Sequence, residues 1–235
     1  MHPDLIKLLD LQARDAAIAG VDSRVAALDA EVAVLDQELE RARGARDTAQ
    51  RAAADGARRR DELETKIESY RQLQERRRQR LEFVRNPKEA STLMAEMDLA
   101  RSVLAKEESD WVRSADSVET LQARVKEEQA KMEGMEGQQA PHRAGLAAQR
   151  ATLVADREEL VSERESAANR LDRALRIRYD RLRRARATPV VVPLNGDACG
   201  ACYTAIPRNR RSQIRAGAVL EGCEACGVIL YAAES

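Results

Sequence analysis

The sequence predicts a mainly α protein: a long antiparallel coiled-coil hairpin that carries a small C-terminal β zinc ribbon. Three observations predict it. Apolar residues recur at heptad spacing along most of the chain. One short segment, Arg85-Asn86-Pro87-Lys88-Glu89, has the chemistry to stop one helix and start another. Two Cys-x-x-Cys pairs stand twenty residues apart near the C-terminus.

The heptads come first. Leu11, Ile18, Val25, Val32 and Leu39 form one row, and Val21, Leu28, Leu35, Ala42 and Ala49 form the second, three residues on. This alternation puts one apolar stripe on a helix that must pack against a partner. The register weakens at Arg46, Gly56, Arg60, Gln74 and Arg77, and returns at Leu63, Ile67, Tyr70, Leu81 and Val84. A second seam runs Met97, Leu104, Trp111, Val118, Val125, Met132, Gln139, Leu146, Leu153, Leu160 and Ala167. Its phase survives Gly134–Gly145, which contains Gly137 and Pro141. That stretch therefore reads as a kink or short break, with a second turn and a third helix as the alternative.

The tip near 85–89 reads as a cap. Asn86 suits the N-cap, Pro87 the first helical position, and Glu89, three residues after the cap, can reach back to it. Lys88 completes this tip. Around it lie Arg76, Arg77, Arg78, Arg80 and Arg85, so a partner binding there should be acidic.

The hairpin is expected over 1–187, with Leu11 facing about residue 162. Residues 172–187 would then overhang by about 20 Å. That segment holds Arg173, Arg176, Arg178, Arg181, Arg183, Arg184 and Arg186, with Asp172 and Asp180 as its acids. Val190-Val191-Val192-Pro193 follows as an extended connector.

The ribbon is expected over 188–235. Cys199, Cys202, Cys223 and Cys226 form two clamps for one tetrahedral ion, and Zn²⁺ takes four thiolates in closed structural sites. Gly227 follows the second pair, where a positive φ is often needed. Val228-Ile229-Leu230-Tyr231 reads as a terminal strand, Ala218-Val219-Leu220 as another, with Gly217 and Gly222 in adjacent turns. A closed four-thiolate site leaves no position for substrate water, so the zinc is expected to serve folding.

Composition narrows the function classes. Charged residues make up 34% of the 235 residues and aromatics 3%, and 40 basic residues balance 40 acidic ones. That is too little aromatic bulk for an ordinary globule and fits long helices around a narrow seam. No window is apolar enough to span a membrane. The first residues lack the pattern of a secretory signal. A cytoplasmic location with reduced cysteines is therefore expected. His2 and His142 have no nucleophile or carboxylate at motif spacing, and no phosphate loop occurs, so neither an enzyme nor a small-molecule substrate is expected.

Three features together resemble a family. They are Asn86-Pro87-Lys88-Glu89 followed by Leu93, Met94 and Glu96; Cys199-Gly200-Ala201-Cys202 with Ile206-Pro207; and Cys223 through Tyr231. The chain resembles bacterial coiled-coil proteins with a C-terminal C4-type zinc ribbon, described as predicted nucleic-acid-binding proteins. Val228 and Ala90 depart from it, where the family often has Arg and an aromatic. The resemblance implies a helical hairpin bearing the ribbon, with no enzymatic activity. It also implies a regulatory or adaptor role, in some members linked to flagellar assembly, alternative sigma factors, secretion or RNA.

Two functions stay open. One is an adaptor that binds an unidentified protein partner through the hairpin and ribbon. The other is nucleic-acid binding, RNA more than DNA, through the arginines of 172–187 together with Arg208, Arg210, Arg211 and Arg215. The tip's basic charge argues against a mechanism that places acidic residues in a polymerase channel.

Overall fold

The computed structural model describes residues 2–185, 189–217 and 220–233. Helix α1 spans Pro3–Phe83 and α2 spans Pro87–Ala168; a shorter α3 covers Arg173–Ala185. The ribbon contributes β1 (Val191–Asn195), β2 (Ala198–Cys199), α4 (Arg208–Ala216) and β3 (Ile229–Tyr231). The fold is mostly helical, a long coiled-coil hairpin with a small C-terminal sheet beside the cysteines. No helix among the described residues is long and apolar enough to cross a membrane.

The turn falls where the sequence places it. The Lys88 N–H donates to the Asn86 side chain at 2.9 Å, the bond of an N-cap, and Pro87 opens α2. Glu89 does not close the expected capping box. Its carboxylate accepts instead from Arg80 across the turn, at 2.8 Å.

The expected break at 134–145 is absent. Helix α2 runs unbroken through Gly134, Gly137, Pro141 and Gly145, so neither a second turn nor an extra helix forms there. The seam's retained phase was the decisive signal. An apolar stripe that continues in register holds a proline-containing helix together by packing.

The chain divides into two compact bodies. One contains α1 up to Glu31 and the chain from Ala144 onward; the other contains Val32–Arg143. In the second body the seam buries Ala49, Ile67, Leu93, Ala100, Val118 and Met132. Gly56 fills the weak stretch of heptads for a steric reason. A Cβ placed there would meet Leu121 at 3.1 Å and Val118 at 3.4 Å. The gap in the first helix's pattern is thus a slot for side chains of the second.

Charge fixes the pairing register. In the first body, Asp15, Asp22 and Asp29 meet Arg164, Arg157 and Arg150; in the second, Asp36 meets Arg143. Each heptad forward on α1 is matched by a heptad back on α2. Further along, the signs exchange, with Arg43 on Glu136 and Arg71 on Glu108. Apart from the buried Asp15–Arg164 pair, these pairs are largely exposed and add little stability, but slipping the helices by a turn would lose all of them.

Two expectations about the base need correction. Helix α2 ends at Ala168, and a turn at 169–172 separates it from α3, so residues 173–185 do not overhang as a continuation of the hairpin. Asp172 caps the new helix by accepting from the Ala174 N–H at 2.8 Å. Helix α3 then packs back: Leu5, Leu8, Leu11, Ala167, Ala168, Leu171, Tyr179, Val190, Val191 and Ile229 form one buried cluster. The segment expected as a connector, Val190 to Pro193, is instead largely strand β1, the centre of the sheet. Leu220 lies outside any strand, while Ala218 and Val219 fall outside the described residues, as do Arg186 and Thr188.

Candidate metal centre

The sheet order is β2-β1-β3, with β1 antiparallel to β2 and parallel to β3. Alternation along a strand sends successive side chains to opposite faces. Val191 pairs with Ile229, and both join the cluster at the hairpin base. Val192 pairs with Leu230, and both join a second cluster with Cys199, Ile206, Ile214, Cys223 and Val228. Val191-Val192 of β1 and Ile229-Leu230 of β3 are thus buried on both faces, so these apolar residues run on without a polar break. The sheet is a partition with the hairpin base on one face and the cysteine head on the other.

The four cysteines converge. Their sulfurs all lie within 4.8 Å of one another. Cys199 Sγ is 3.8 Å from Cys226 Sγ, and Cys202 Sγ is 3.6 Å from Cys223 Sγ. A disulfide needs about 2.0 Å. A tetrahedron of thiolates with bonds of about 2.3 Å has edges of about 3.8 Å. The spacing fits a metal ion and excludes a bonded cystine.

The knuckles supply the rest of such a site. The Ala201 N–H points at Cys199 Sγ at 3.4 Å. Cys199 N–H donates to Thr204 O at 2.9 Å, and Cys223 N–H to Val228 O at 2.8 Å, so each pair is closed by its own backbone loop. Gly227 adopts φ 79° after the second pair, as expected; the equivalent position after the first pair is Tyr203, with φ 60°. Burial pushes the Cys226 thiol up to about 12 and also raises that of Cys199. Hydrogen bonding with Thr204, side chain first and backbone second, brings Cys202 down to about 6. A coordinating cation would deprotonate all four.

The head is tied to the base by polar contacts that the sequence reading missed. The Gln12 side chain accepts from the Val190 and Val191 N–H groups at 2.9 and 2.8 Å and donates to Val191 O at 2.9 Å. It behaves like one residue of an extra strand along β1. Asp15 is buried; one oxygen accepts from Tyr179 at 2.8 Å, and the other pairs with Arg164 at 3.1 Å and Arg183 at 3.1 Å. Arg164 also reaches Asp180 at 2.5 Å. Burial opposes the Arg164 charge, but the carboxylates of Asp180 and Asp15 outweigh it and hold the guanidinium above its usual range. Burial, then the bond to Asp15, raises the Tyr179 phenol. The signal for part of this was present: Asp at 15, 22, 29 and 36, and Arg at 143, 150, 157 and 164, each repeat by seven.

The arginines expected to bind a partner divide into two sets. Arg176 pairs with Glu165 at 2.8 Å and Asp180 at 3.7 Å, and Arg183 pairs with Asp15. Arg178 donates to Leu220 O at 3.1 Å, in the loop that leads to Cys223. Arg210 grips that loop from the other side, through Glu221 at 2.5 Å and Gly222 O at 2.7 Å, and Arg211 pairs with Asp197. These five serve the fold. Arg173, Arg181, Arg184 and Arg208 are exposed with no side-chain partner among the described residues, and Arg215 is exposed with only long contacts, to Gly196 O and Asp197.

Comparisons place this architecture among known proteins. No curated protein matches the sequence. Three solved structures share the fold over nearly the full length of both chains. CT398 from Chlamydia trachomatis is 18% identical with TM-score 0.87, covering 97% of each chain. A Mycobacterium smegmatis protein is 22% identical with TM-score 0.69, covering 99% of this chain and 100% of that one. HP0958 from Helicobacter pylori is 14% identical with TM-score 0.52, covering 96% and 98%. The profile of the CT398-like coiled coil hairpin domain matches residues 11–187, and the chain belongs to that family.

Proposed function

We propose that this chain is a non-enzymatic adaptor of the cytoplasm that binds a protein partner through its hairpin tip and ribbon, with one structural zinc ion held by Cys199, Cys202, Cys223 and Cys226. Zinc is the ion that four reduced thiolates at these separations suit best, and a closed site of this kind contributes folding energy alone.

The observation that carries the partner reading is Phe83. It is the only phenylalanine, it closes α1 at the tip, and it is 82% exposed. A large aromatic at the end of a helix contributes nothing to the seam from there. Around it Arg76, Arg78, Arg85 and Lys88 are exposed with no side-chain partner among the described residues. An apolar anchor ringed by free cations suits an acidic protein surface with a hydrophobic pocket. The test is affinity purification with the full chain and a Phe83→Ser/Arg78→Glu/Arg85→Glu variant, each with and without nuclease. Partners that survive nuclease and are lost with the variant support the adaptor. Partners that vanish with nuclease support the second reading.

That second reading is RNA binding. The exposed Arg173, Arg181, Arg184, Arg208 and Arg215 favour it, because unpaired guanidinium groups suit phosphates. It is weakened by the loss of Arg176, Arg178, Arg183, Arg210 and Arg211 to internal bonds. A gel shift whose affinity does not fall with salt would count against it.

A further inference from the structure

We infer that the outer face of α3 is a second docking surface, and that its occupant is an acidic amphipathic helix of a partner protein. The inference rests on the adaptor reading, but on a different part of the molecule.

At 100° per residue, Arg173, Ile177, Arg181 and Arg184 fall within one narrow arc of α3. Leu175, Tyr179 and Leu182, on the other side, pack into the base. Ile177 is 60% exposed, and the three arginines are exposed and without partners among the described residues. The acid inside the helix and the one that caps it are committed elsewhere: Asp180 is held by Arg164 and Arg176, and Asp172 caps the first turn. Arg184 also borders a hollow of about 490 Å³ with Arg164, Glu165, Arg176, Asp180 and Arg183.

Folding does not account for this face. Arg181 and Arg184 are like charges at i,i+3, which disfavours a helix. Ile177 is β-branched and buries little, so it adds neither propensity nor core. A ligand accounts for both. It must be anionic at each end and apolar in the middle, over the roughly 16 Å from Arg173 to Arg184. A helix with an apolar residue between carboxylates one turn away on either side has that pattern. Single-stranded RNA fits less well. It is held by stacking on aromatic side chains as well as by cations, and the only aromatic of α3, Tyr179, is 1% exposed.

The experiment uses the full, zinc-loaded chain and fluorescence anisotropy with three labelled probes. They are a designed helix with Leu flanked by Glu one turn away on each side, a scrambled peptide of the same composition, and an oligouridine. The designed helix should bind more tightly than the scrambled peptide. Arg173→Glu/Arg181→Glu/Arg184→Glu should abolish that binding, and Ile177→Ser should weaken it about tenfold. Arg181→Gln alone gives a milder reading should the triple variant fail to fold. Equal binding of both peptides would overturn the proposal, as would variants without effect or preferential binding of the oligouridine. The Phe83→Ser/Arg78→Glu/Arg85→Glu variant should leave peptide binding intact. Loss of binding there would place the peptide at the tip, ending this proposal while the adaptor reading stands.

Discussion

The two bodies of this chain solve the same problem by different means. In Val32–Arg143, two helices share one narrow seam, and the small residues Gly56 and Ala100 let them approach. Gln139 is the polar residue buried there as a whole; its amide donates to Glu38 at 3.1 Å and its oxygen accepts from Arg143, while the Gln74 amide and Trp111 indole nitrogens are also out of solvent. In the body with the ribbon, helices and a sheet close around a core, and Asp15 and Arg164 are buried with it. A two-helix seam is specified by repetition. A base joining helices to a sheet has no repetition to use, so side chains of fixed geometry must set how the parts meet. Buried charge is a costly way of doing so, and it becomes a liability when one partner is removed.

The largest contrast should come from the metal centre. Cys223→Ser should abolish zinc binding and unfold the ribbon, because structural zinc sites carry on the order of 10 kcal/mol. Hydrogen exchange should show lost protection at Val190 and Val191, while the seam around Val118 keeps its own. Loss of protection throughout the seam of Val32–Arg143 would mean that the two bodies do not differ in this way.

Arg164→Ala should cost about 3–5 kcal/mol, since it removes the buried cation that Asp15 and Asp180 share and leaves them only the more exposed Arg183 and Arg176. Arg150→Ala, which breaks the exposed pair with Asp29, should cost less than about 1 kcal/mol. Chemical denaturation of the two variants measures the difference. Similar losses would argue against the buried network as the element that sets the base.

Overpacking tests the body Val32–Arg143. Gly56→Leu should destabilise it by about 1–3 kcal/mol, because Leu121 and Val118 already occupy the space. Amide exchange at the seam is the readout. Unchanged exchange would mean that the slot is not filled.

The smallest effect concerns the two knuckles. Tyr203 holds the left-handed conformation that Gly227 adopts at the matching position. Such a conformation costs a side chain about 1–2 kcal/mol. Tyr203→Gly should therefore stabilise the zinc-loaded ribbon by up to about 1 kcal/mol, after the extra chain entropy of glycine is subtracted. Thermal melting at saturating zinc measures it.

Particular residues show what the sequence made legible. The Asn86-Pro87 turn could be read because capping is local chemistry, and the convergence of Cys199 to Cys226 because two Cys-x-x-Cys pairs have the spacing of a four-thiolate cluster. The seam residues Leu11, Ile18, Val118, Met132, Leu146 and Leu153 could be read because heptads repeat, and all are buried. What could not be read was set by tertiary contact. Arg176, Arg178 and Arg183 look like a free basic run in sequence. Their partners, Glu165, Leu220 O and Asp15, lie on other elements. The turn at 169–172 contains neither Pro nor Gly, so no strong helix breaker marks it in the sequence. Helix α4 did have an end signal in Gly217, whose φ of 67° terminates it, but Gly217 could equally have marked a turn between strands.

One zinc ion held by the four thiolates would fix the head on the hairpin base. Zinc analysis with X-ray absorption on the purified chain tests it most directly. The expected result is one zinc per chain with four sulfur neighbours at about 2.3 Å. A chain without metal, a zinc with nitrogen or oxygen ligands, or cysteines found as disulfides would contradict it.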